Sequence, residues 1–346
     1  MNRLPRNFHD ALLAGQVIPA HPLALNKHGK LDERRQRALS RYYLAAGAGG
    51  LAVGVHTTQF AIRDNDLLRP VLEIAAEQIA ENGKKDCIGI AGVIGKTQQA
   101  ICEAKLAVDS GYHAALLSLG AFEDFSDDDM ISHCREVAEV IPIIGFYLQP
   151  SVGGRYLGYE FWRKFCEIEN VVAIKIAPFS RYQTIDVLRG LADSGRSQNI
   201  ALYTGNDDSI VIDLLTKYVF SGVELSFAGG LLGHWAVWTR EAVNILHACR
   251  RYRESQDPIP QAMLSLAVEV TDCNAAFFDV KNYFAGCIPG IHEVLRRQRL
   301  LEGIWCIDPA ETLSSGQASE IERVCAAYPH LNDDAFVEEN LDEWLG

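Results

Sequence analysis

The sequence predicts an α/β fold, a (β/α)8 TIM barrel with a C-terminal helical extension. Short apolar runs alternate regularly with segments of helical period. Eight such units occupy about 237 residues, from 17 to 253, which is close to the ~250 residues typical of this barrel. Beyond residue 253 the alternation stops and only helical patterns follow.

The apolar runs indicate parallel strands. Strands that are separated by helices must be parallel, and parallel strands covered by helices form nearly continuous apolar stretches. The eight predicted strands lie at 17–25, 51–55, 87–93, 114–119, 141–148, 171–177, 201–204 and 223–228.

The segments between the strands carry helix signals. Gly47, Gly83 and Gly111 follow three predicted helices, and Ser126 and Ser180 are predicted N-caps. A doubly wound sheet is the alternative, less favoured because no G-x-G-x-x-G follows the first strand. The predicted helices cover 32–46, 66–81, 97–110, a segment opening at 126, 159–168, 180–190, 208–219 and 234–253.

The sequence predicts two regions, a catalytic barrel at 1–253 and a C-terminal helical region at 254–346. The sequence Asp-Pro-Ile-Pro at 257–260 breaks the pattern between them. Helices are predicted at 261–278, 291–301 and 318–327, and we expect them to pack against the barrel and to help form subunit contacts.

Composition narrows the class of partner. The 346 residues are 48% hydrophobic, enough to fill a large core, and carry a net charge of −13. Phosphate binding needs a positive surface, so we expect a small-molecule partner and no nucleic acid. The nine cysteines are scattered without metal-ligand spacing. With no apolar leader and no run of ~18 apolar residues, we expect no membrane partner and a cytoplasmic protein.

Lys175 stands inside an otherwise apolar predicted strand. Alternation places it on one face with Ala173 and Ala177, and the branched residues on the other. It should therefore point into the barrel near the strand's C-terminal end, where barrel active sites lie. Burial lowers the pKa of an amine, which makes it nucleophilic toward a carbonyl, as Schiff-base enzymes require. The alternative is a structural lysine paired with a carboxylate in the bottom layer of the barrel.

Tyr147 is the candidate on the preceding strand. Alternation places Gly145 and Tyr147 on the inner face and Phe146 on the outer face. A phenol beside the lysine can donate or accept a proton. A tyrosine that only satisfies one structural hydrogen bond remains an open alternative.

Polar residues follow the second strand. Thr57 and Thr58 offer hydroxyls and backbone amides that suit a carboxylate, although a threonine pair is a weak signal. We expect His56 beside them to be structural.

Further polar residues end the seventh strand. Asn206, Asp207 and Asp208 offer oxygens to a polyhydroxylated substrate, and helix capping is the equally open alternative. Glu224 is a charged residue within the last predicted strand, and the sequence leaves open how deeply its side chain is buried.

These residues together resemble the dihydrodipicolinate synthase / N-acetylneuraminate lyase family of class I aldolases. The resemblance rests on Thr57 and Thr58, on Tyr147 preceded by Phe146, and on Val-Val-Ala-Ile-Lys ending at Lys175. The tyrosine and the lysine are 28 positions apart (175 − 147), which is the family's separation. The resemblance runs from about residue 17 to 301.

The resemblance implies a barrel enzyme, usually a homotetramer, that condenses or cleaves 2-oxo acids through an imine and needs no cofactor. Lys175 would attack the C2 carbonyl of pyruvate or a similar oxo acid. Tyr147 would shuttle protons with Thr57, and Thr58 would hold the carboxylate. Asp207 and Asp208 match a loop that contacts substrate hydroxyls in the lyase branch.

Departures from the family pattern bear on specificity. Gln59 and Phe60 stand where the family has Gly-Glu, and the fourth strand lacks the synthase tyrosine pair. The family's carboxylate-binding arginine closely follows its tyrosine, whereas Arg155 comes eight residues on (155 − 147). An aldolase or dehydratase is therefore favoured over a true dihydrodipicolinate synthase. The sequence also leaves open a non-catalytic carboxylate-binding barrel and a metal-assisted aldolase, although no carboxylate and histidine set is spaced for a metal.

Overall fold

The protein is a parallel (β/α)8 barrel, as the sequence predicts. Its computed structural model describes residues 2–150, 153–255 and 257–346. The barrel strands are β1 (Val17–Pro19), β2 (Gly50–Val53), β3 (Ile88–Val93), β4 (Ala114–Leu117), β5 (Ile143–Leu148), β6 (Val171–Ala177), β7 (Ala201–Thr204) and β10 (Gly229–Leu232). Their order around the sheet is β1-β10-β7-β6-β5-β4-β3-β2, and a parallel bridge between Ala20 and Ala52 joins its two edges.

The prediction of the eighth strand at 223–228 is wrong. Two short strands, β8 (Tyr218–Phe220) and β9 (Val223–Leu225), form an antiparallel hairpin outside the barrel. Ser221 and Gly222 turn it with φ values of 50° and 77°. The true eighth strand begins Gly229-Gly230, and a Cβ at Gly229 would lie 2.2 Å from the Gln16 carbonyl oxygen. Close packing here requires glycine, so this strand carries no apolar run.

Helices cover the outside of the barrel. Those that follow the strands are α2 (Glu33–Ala46), α3 (Leu68–Asn82), α4 (Thr97–Asp109), α5 (Asp127–Ala138), α6 (Tyr159–Cys166), α7 (Arg181–Asp193), α8 (Ile210–Leu215) and α9 (Thr239–Glu254). Ser126 and Ser180 cap α5 and α7 by accepting from the N–H groups of Asp129 and Gln183. Both predicted caps are therefore present.

An N-terminal helix that the sequence did not predict, α1 (Arg6–Ala14), packs against the interior strand residues. Leu12 is fully buried among the side chains that fill the barrel, and its carbonyl accepts from the Tyr203 hydroxyl at 3.0 Å. The other members of this interior cluster include Ile18, Ala52, Ile90, Leu116, Ile144, Ala173 and Leu231.

After the barrel come α10 (Gln261–Phe277), α11 (Cys287–Arg297), α12 (Gln317–Ala327) and α13 (Asp334–Leu345). The last helix packs on α2, where Trp344 contacts Tyr42 with ring centroids 5.5 Å apart. Asp333, just before this helix, accepts from the Tyr42 hydroxyl at 2.7 Å. The C-terminal helices thus rest on the barrel, and the division at 253/254 stays a prediction. None of the helices within the described residues is long and apolar enough to span a membrane.

Candidate active site

A cavity that is open to solvent at its mouth lies at the C-terminal ends of the barrel strands. Barrel enzymes carry their reactive groups at this end. The polar side chains in its lining are His56, Thr57, Gln149, Lys175 and Asp207, with the thiol of Cys287 beside them. The apolar lining includes Ala20, Val55, Phe146, Leu148, Ala177, Phe179, Leu232, Phe278 and Phe284.

Lys175 lies in this cavity, on the face of β6 that alternation assigns to it. Its residue is only 8% exposed, and its Nζ lies 4.4 Å from the ring centroid of Phe146. Burial lowers the pKa of the amine to about 8, an effect that the nearby carboxylate of Asp207 opposes. A Cβ at Gly205 would lie 2.8 Å from the lysine Cε, so this glycine leaves the side chain its space.

Asp207 is the carboxyl group that faces the same cavity. It follows β7, the strand next to that of Lys175, and is buried. Burial raises its pKa to about 8, against the opposing charge of Lys175, and Asp208 adds to the rise. Among the described residues no donor reaches its Oδ1, and its oxygens lie beyond 4.0 Å from the lysine Nζ. The two groups therefore act on each other through space without a direct ion pair.

The prediction that Tyr147 points into the barrel is wrong. Its ring packs on Trp162 of α6 at 5.2 Å, and its hydroxyl accepts from the N–H of Leu157 at 3.1 Å. Phe146 takes the inner face, because it pairs in register with Lys175 and residues in register on neighbouring strands point to the same side. The structure does not bring the phenol to the lysine.

Gly145 explains the error. The sequence suggests that this glycine opens the barrel interior, but its missing side chain makes room on the outer side. A Cβ there would lie 2.7 Å from Cε1 of Phe165 and 3.1 Å from Cζ3 of Trp162. The aromatic face of α6 therefore requires glycine and places Tyr147 in the same outer layer.

The two threonines after β2 have different positions. Thr57 lines the cavity, and its hydroxyl donates to the Ala20 carbonyl at 2.8 Å. Thr58 is fully buried behind it, donates to the His21 carbonyl at 2.7 Å and accepts from the N–H of Gly54 at 3.0 Å. Thr58 does not line the cavity, so its predicted contact with a substrate carboxylate is not supported.

Asn206 and Asp208 also lie outside the cavity lining. The buried Asn206 joins two loops, since it accepts from the Phe179 N–H at 3.1 Å and donates to Asp213 at 3.0 Å. Asp208 is exposed, and its carbonyl accepts from the Thr271 hydroxyl at 3.2 Å. Of the three residues predicted to meet substrate hydroxyls, only Asp207 faces the cavity.

Arg155 and Glu224 do not reach the site. The guanidinium of Arg155 donates to the carbonyls of Phe122 at 2.5 Å and Phe125 at 2.9 Å, which fixes the loop after β4. Glu224 is on the hairpin strand β9 and pairs with Lys217 at 3.4 Å. The expectation that Arg155 binds a substrate carboxylate is not supported, because Arg155 does not line the cavity and its Nη1 donates to peptide carbonyls of the loop after β4.

Several lining residues were missed from the sequence. His56 faces the cavity, and burial and the nearby Lys175 lower its pKa to about 4, so its ring is neutral. Phe278, Phe284 and Cys287 come from the C-terminal region, more than 100 positions from the lysine. No local pattern indicates such distant contacts. Gly233 leaves room for one of these rings, since a Cβ there would lie 2.9 Å from Phe278.

The described parts of the chain contain no group of three or more His, Cys, Asp or Glu side chains arranged to hold a metal ion. The amine of Lys175 and the carboxyl of Asp207 are the oppositely charged groups in the lining of the cavity.

Comparison with known proteins places this geometry in a family. The model of the dihydrodipicolinate synthetase family matches residues 14–223. A 4-hydroxy-tetrahydrodipicolinate synthase of Methanothrix thermoacetophila is 29% identical over 198 residues, 56% of this chain and 62% of that protein. An N-acetylneuraminate lyase of Citrobacter koseri is 27% identical over 202 residues, 58% of this chain and 65% of that protein. The matched part spans less than two thirds of either relative.

Solved structures share the fold. A dihydrodipicolinate synthase from Acinetobacter baumannii, complexed with pyruvate, superposes with a TM-score of 0.75 at 18% identity, covering 90% of this chain and 98% of that one. An N-acetylneuraminate lyase from Fusobacterium nucleatum gives 0.71 at 15% identity, with coverage of 91% and 99%. A dihydrodipicolinate synthase variant described as monomeric is also similar, at 0.71. The match of the family model over more than half of the sequence shows that the chain belongs to the dihydrodipicolinate synthetase family.

Proposed function

We propose that the protein is a Schiff-base lyase, an aldolase or dehydratase, that acts on pyruvate or another 2-oxo acid through an imine with Lys175. The single observation that carries this proposal is the buried lysine at the C-terminal end of a barrel strand, in a cavity open to solvent. Its lowered pKa keeps a useful fraction of the amine neutral near neutral pH. The synthases and lyases among its relatives support the same chemistry.

The amine would attack C2 of the oxo acid and form a carbinolamine, which loses water to give an iminium. The iminium withdraws electrons from C3, and this makes carbon–carbon cleavage or loss of a β-hydroxyl feasible at neutral pH. Phe146, with its ring centroid 4.4 Å from Nζ, would stabilise the cationic iminium by a cation–π contact. Thr57 would line the pocket beside the bound acid.

The test is reductive trapping. Wild-type protein incubated with pyruvate and borohydride should gain the mass of one reduced pyruvyl group on the peptide that contains Lys175. Lys175→Ala should gain none, whereas the exposed Lys96→Ala should behave as wild type. Absence of an adduct across a panel of 2-oxo acids would argue for a barrel that binds carboxylates without turnover.

Assembly and location are part of the same proposal. We infer a homo-oligomer, a tetramer or dimer, from the family resemblance, with the C-terminal helices of 254–346 contributing to subunit contacts. The cysteines, all free among those described, support a reducing and cytoplasmic location. Sedimentation equilibrium tests the first inference, and a single species of monomer mass would contradict it.

A further inference from the structure

The cavity around Lys175 contains a carboxyl group and, among the described residues that line it, no phenol. Imine formation needs a proton carrier, because the carbinolamine hydroxyl must be protonated before it leaves as water. A later step removes a proton from C3. With Tyr147 held in the outer layer by Leu157 and Trp162, another group must do this work.

The cavity offers few groups that can carry a proton. The hydroxyl proton of Thr57 is donated to a main-chain carbonyl, and the amide of Gln149 does not titrate. Burial holds the pKa of the Cys287 thiol well above its usual range, so the thiol keeps its proton. His56 is neutral and is a weak base, because its pKa is lowered to about 4. Asp207 remains, buried on the strand next to the lysine and with an Oδ1 that no described donor occupies.

We propose that Asp207 is the proton carrier of this active site, in the place that a tyrosine would otherwise take. The inference rests on the proposed function. In the first step the Asp207 carboxyl gives its proton to the carbinolamine hydroxyl, the C2–O bond breaks, water leaves, and the C2–N bond becomes the iminium. In the second step the carboxylate takes a proton from C3, and the C3–H electron pair forms the enamine.

The electrostatics of the pair support this assignment. The ordinary pKa values are 3.8 for the aspartate and 10.5 for the lysine, so in water the ion pair is overwhelmingly favoured. Burial lowers the pKa of the amine and raises that of the carboxyl, so the neutral pair comes closer in free energy to the ion pair than it is in water. The neutral pair is a free amine beside a carboxylic acid, which is the combination that imine formation needs. The charge of Asp208 raises the pKa of the Asp207 carboxyl further. Two other titratable groups are close to the pair, because His56 lies near Lys175 and Cys287 lies near Asp207.

The experiment measures two rates in the full-length protein with pyruvate as the probe. The first is the time course of borohydride-trapped adduct, and the second is exchange of the pyruvate methyl protons in D2O, followed by NMR. Asp207→Asn should slow both by about 10²- to 10⁴-fold. The control, Asp109→Asn, removes an exposed carboxylate at the end of α4, outside the cavity lining, and should leave both rates close to those of wild type. Formate should partly restore both rates in Asp207→Ala.

The outcomes separate this inference from the proposed function. A wild-type protein that forms no adduct contradicts both. A wild-type adduct with unchanged rates in Asp207→Asn overturns the proton-carrier role alone, as does a loss confined to His56→Asn. If Asp207→Asn fails to fold by near-UV circular dichroism, the folded Asp207→Glu and Asp207→Ala proteins decide. A glutamate variant as slow as the alanine variant, with no rescue of the latter by formate, would contradict the role.

A second and independent observation concerns the wall of the cavity. Two of its aromatic residues, Phe179 and Phe284, have left-handed backbones with φ of 50° and 67°. Their ring centroids are 5.9 Å apart, and they come from the loop after β6 and the segment after α10. Such backbones are rare for bulky residues and persist only where the surroundings hold them. The apolar wall as a whole contains Phe146, Leu148, Phe179, Leu232, Phe278 and Phe284.

We infer that the second substrate, or the substituent of the oxo acid, is an aromatic or other apolar group and not a polyol. Hydroxyls placed against phenylalanine rings lose their hydration without gaining hydrogen bonds, whereas an aromatic ring gains burial and edge contacts. In condensation the enamine C3 attacks the aldehyde carbon, and the carbonyl oxygen takes the Asp207 proton. Water then hydrolyses the imine and releases a 4-hydroxy-2-oxo acid and the free lysine.

The test compares benzaldehyde with glyceraldehyde as partners of pyruvate, with the product measured by NMR. Wild type should use benzaldehyde with a kcat/KM higher by about tenfold or more. Phe284→Ser should lower the benzaldehyde value while the pyruvate adduct at Lys175 still forms. The control is Tyr283→Ala, an 88% exposed neighbour that does not line the cavity. A preference for glyceraldehyde, or an adduct with no condensation of either aldehyde, would overturn the inference but leave the proposed function intact.

Discussion

The substitution Tyr147→Phe tests on which face of β5 this side chain lies. If it lies on the outer face, the substitution should lower stability and leave the rate of imine formation unchanged; if it lies on the inner face, the opposite should hold. In the structure the hydroxyl accepts from the N–H of Leu157, which is only 2% exposed. Loss of the hydroxyl leaves a buried N–H without this partner, at a cost of about 1–3 kcal/mol. The equilibrium constant for unfolding should therefore rise by about 5- to 140-fold. The rate of pyruvate adduct formation should remain that of wild type.

Urea unfolding measures the first effect and borohydride trapping the second. Hydrogen exchange adds a local readout, since the Leu157 amide should lose protection. Tyr156→Phe is the matched control, because Tyr156 is 61% exposed and its hydroxyl makes only a 3.4 Å contact with Asp186. A Tyr147→Phe protein with unchanged stability and a rate of imine formation lowered by about 10²- to 10⁴-fold would refute the outward placement.

Three further predictions test the architecture and the site. Gly145→Ala should lower the free energy of unfolding by about 1–3 kcal/mol by overpacking against Phe165, measured by urea unfolding; unchanged stability with a narrowed substrate pocket would place this glycine on the inner face instead. Arg155→Ala should increase hydrogen exchange in the β4–α5 loop, whose carbonyls it binds, and leave the KM for pyruvate unchanged, whereas a large rise in KM would restore its role as a carboxylate anchor. The trapping rate at Lys175 should rise with pH as the amine loses its proton, because burial lowers its pKa to about 8, and should fall again at higher pH as the Asp207 carboxyl ionises and no longer donates a proton; a rate that only rises, with a midpoint near the ordinary lysine value of 10.5, would contradict both the burial and the proton-carrier role.

The barrel could be predicted because its evidence is local and repeated. Each βα unit carries its own apolar run and helix signals, so the fold class survives a mistake in one unit. The mistake came at Gly229-Gly230, where the strand is made of the residues that close packing demands. The rule that buried parallel strands are apolar fails where the neighbouring backbone comes within van der Waals contact of Cα. The helix α1 was missed for a related reason, since its place against the barrel interior depends on contacts with distant strands.

The site was predictable at Lys175 because a charged residue breaks an apolar strand between two small neighbours. The placement of Tyr147 failed because alternation had to be converted into a direction. Alternation separates two faces but does not say which one is inner, and that choice depends on the partner across each face. For β6 the small residues marked the inner face correctly. For β5 the same reasoning failed, because the space beside Gly145 is filled by an aromatic helix.

Residues that line the cavity from a distance were beyond local patterns altogether. Phe278 and Phe284 reach the site through the packing of the C-terminal helices on the barrel, and their aromatic character alone is typical of any core. Their presence changes the chemistry expected of the site. A pocket judged only from the polar residues after β7 would suit hydroxylated substrates, whereas the described lining combines a carboxyl, an amine and a few other polar groups with the phenyl rings of four phenylalanines. In so apolar a cavity the amine and the carboxyl share a low dielectric, so the wall that would select the substrate is also what keeps the neutral, reactive pair populated.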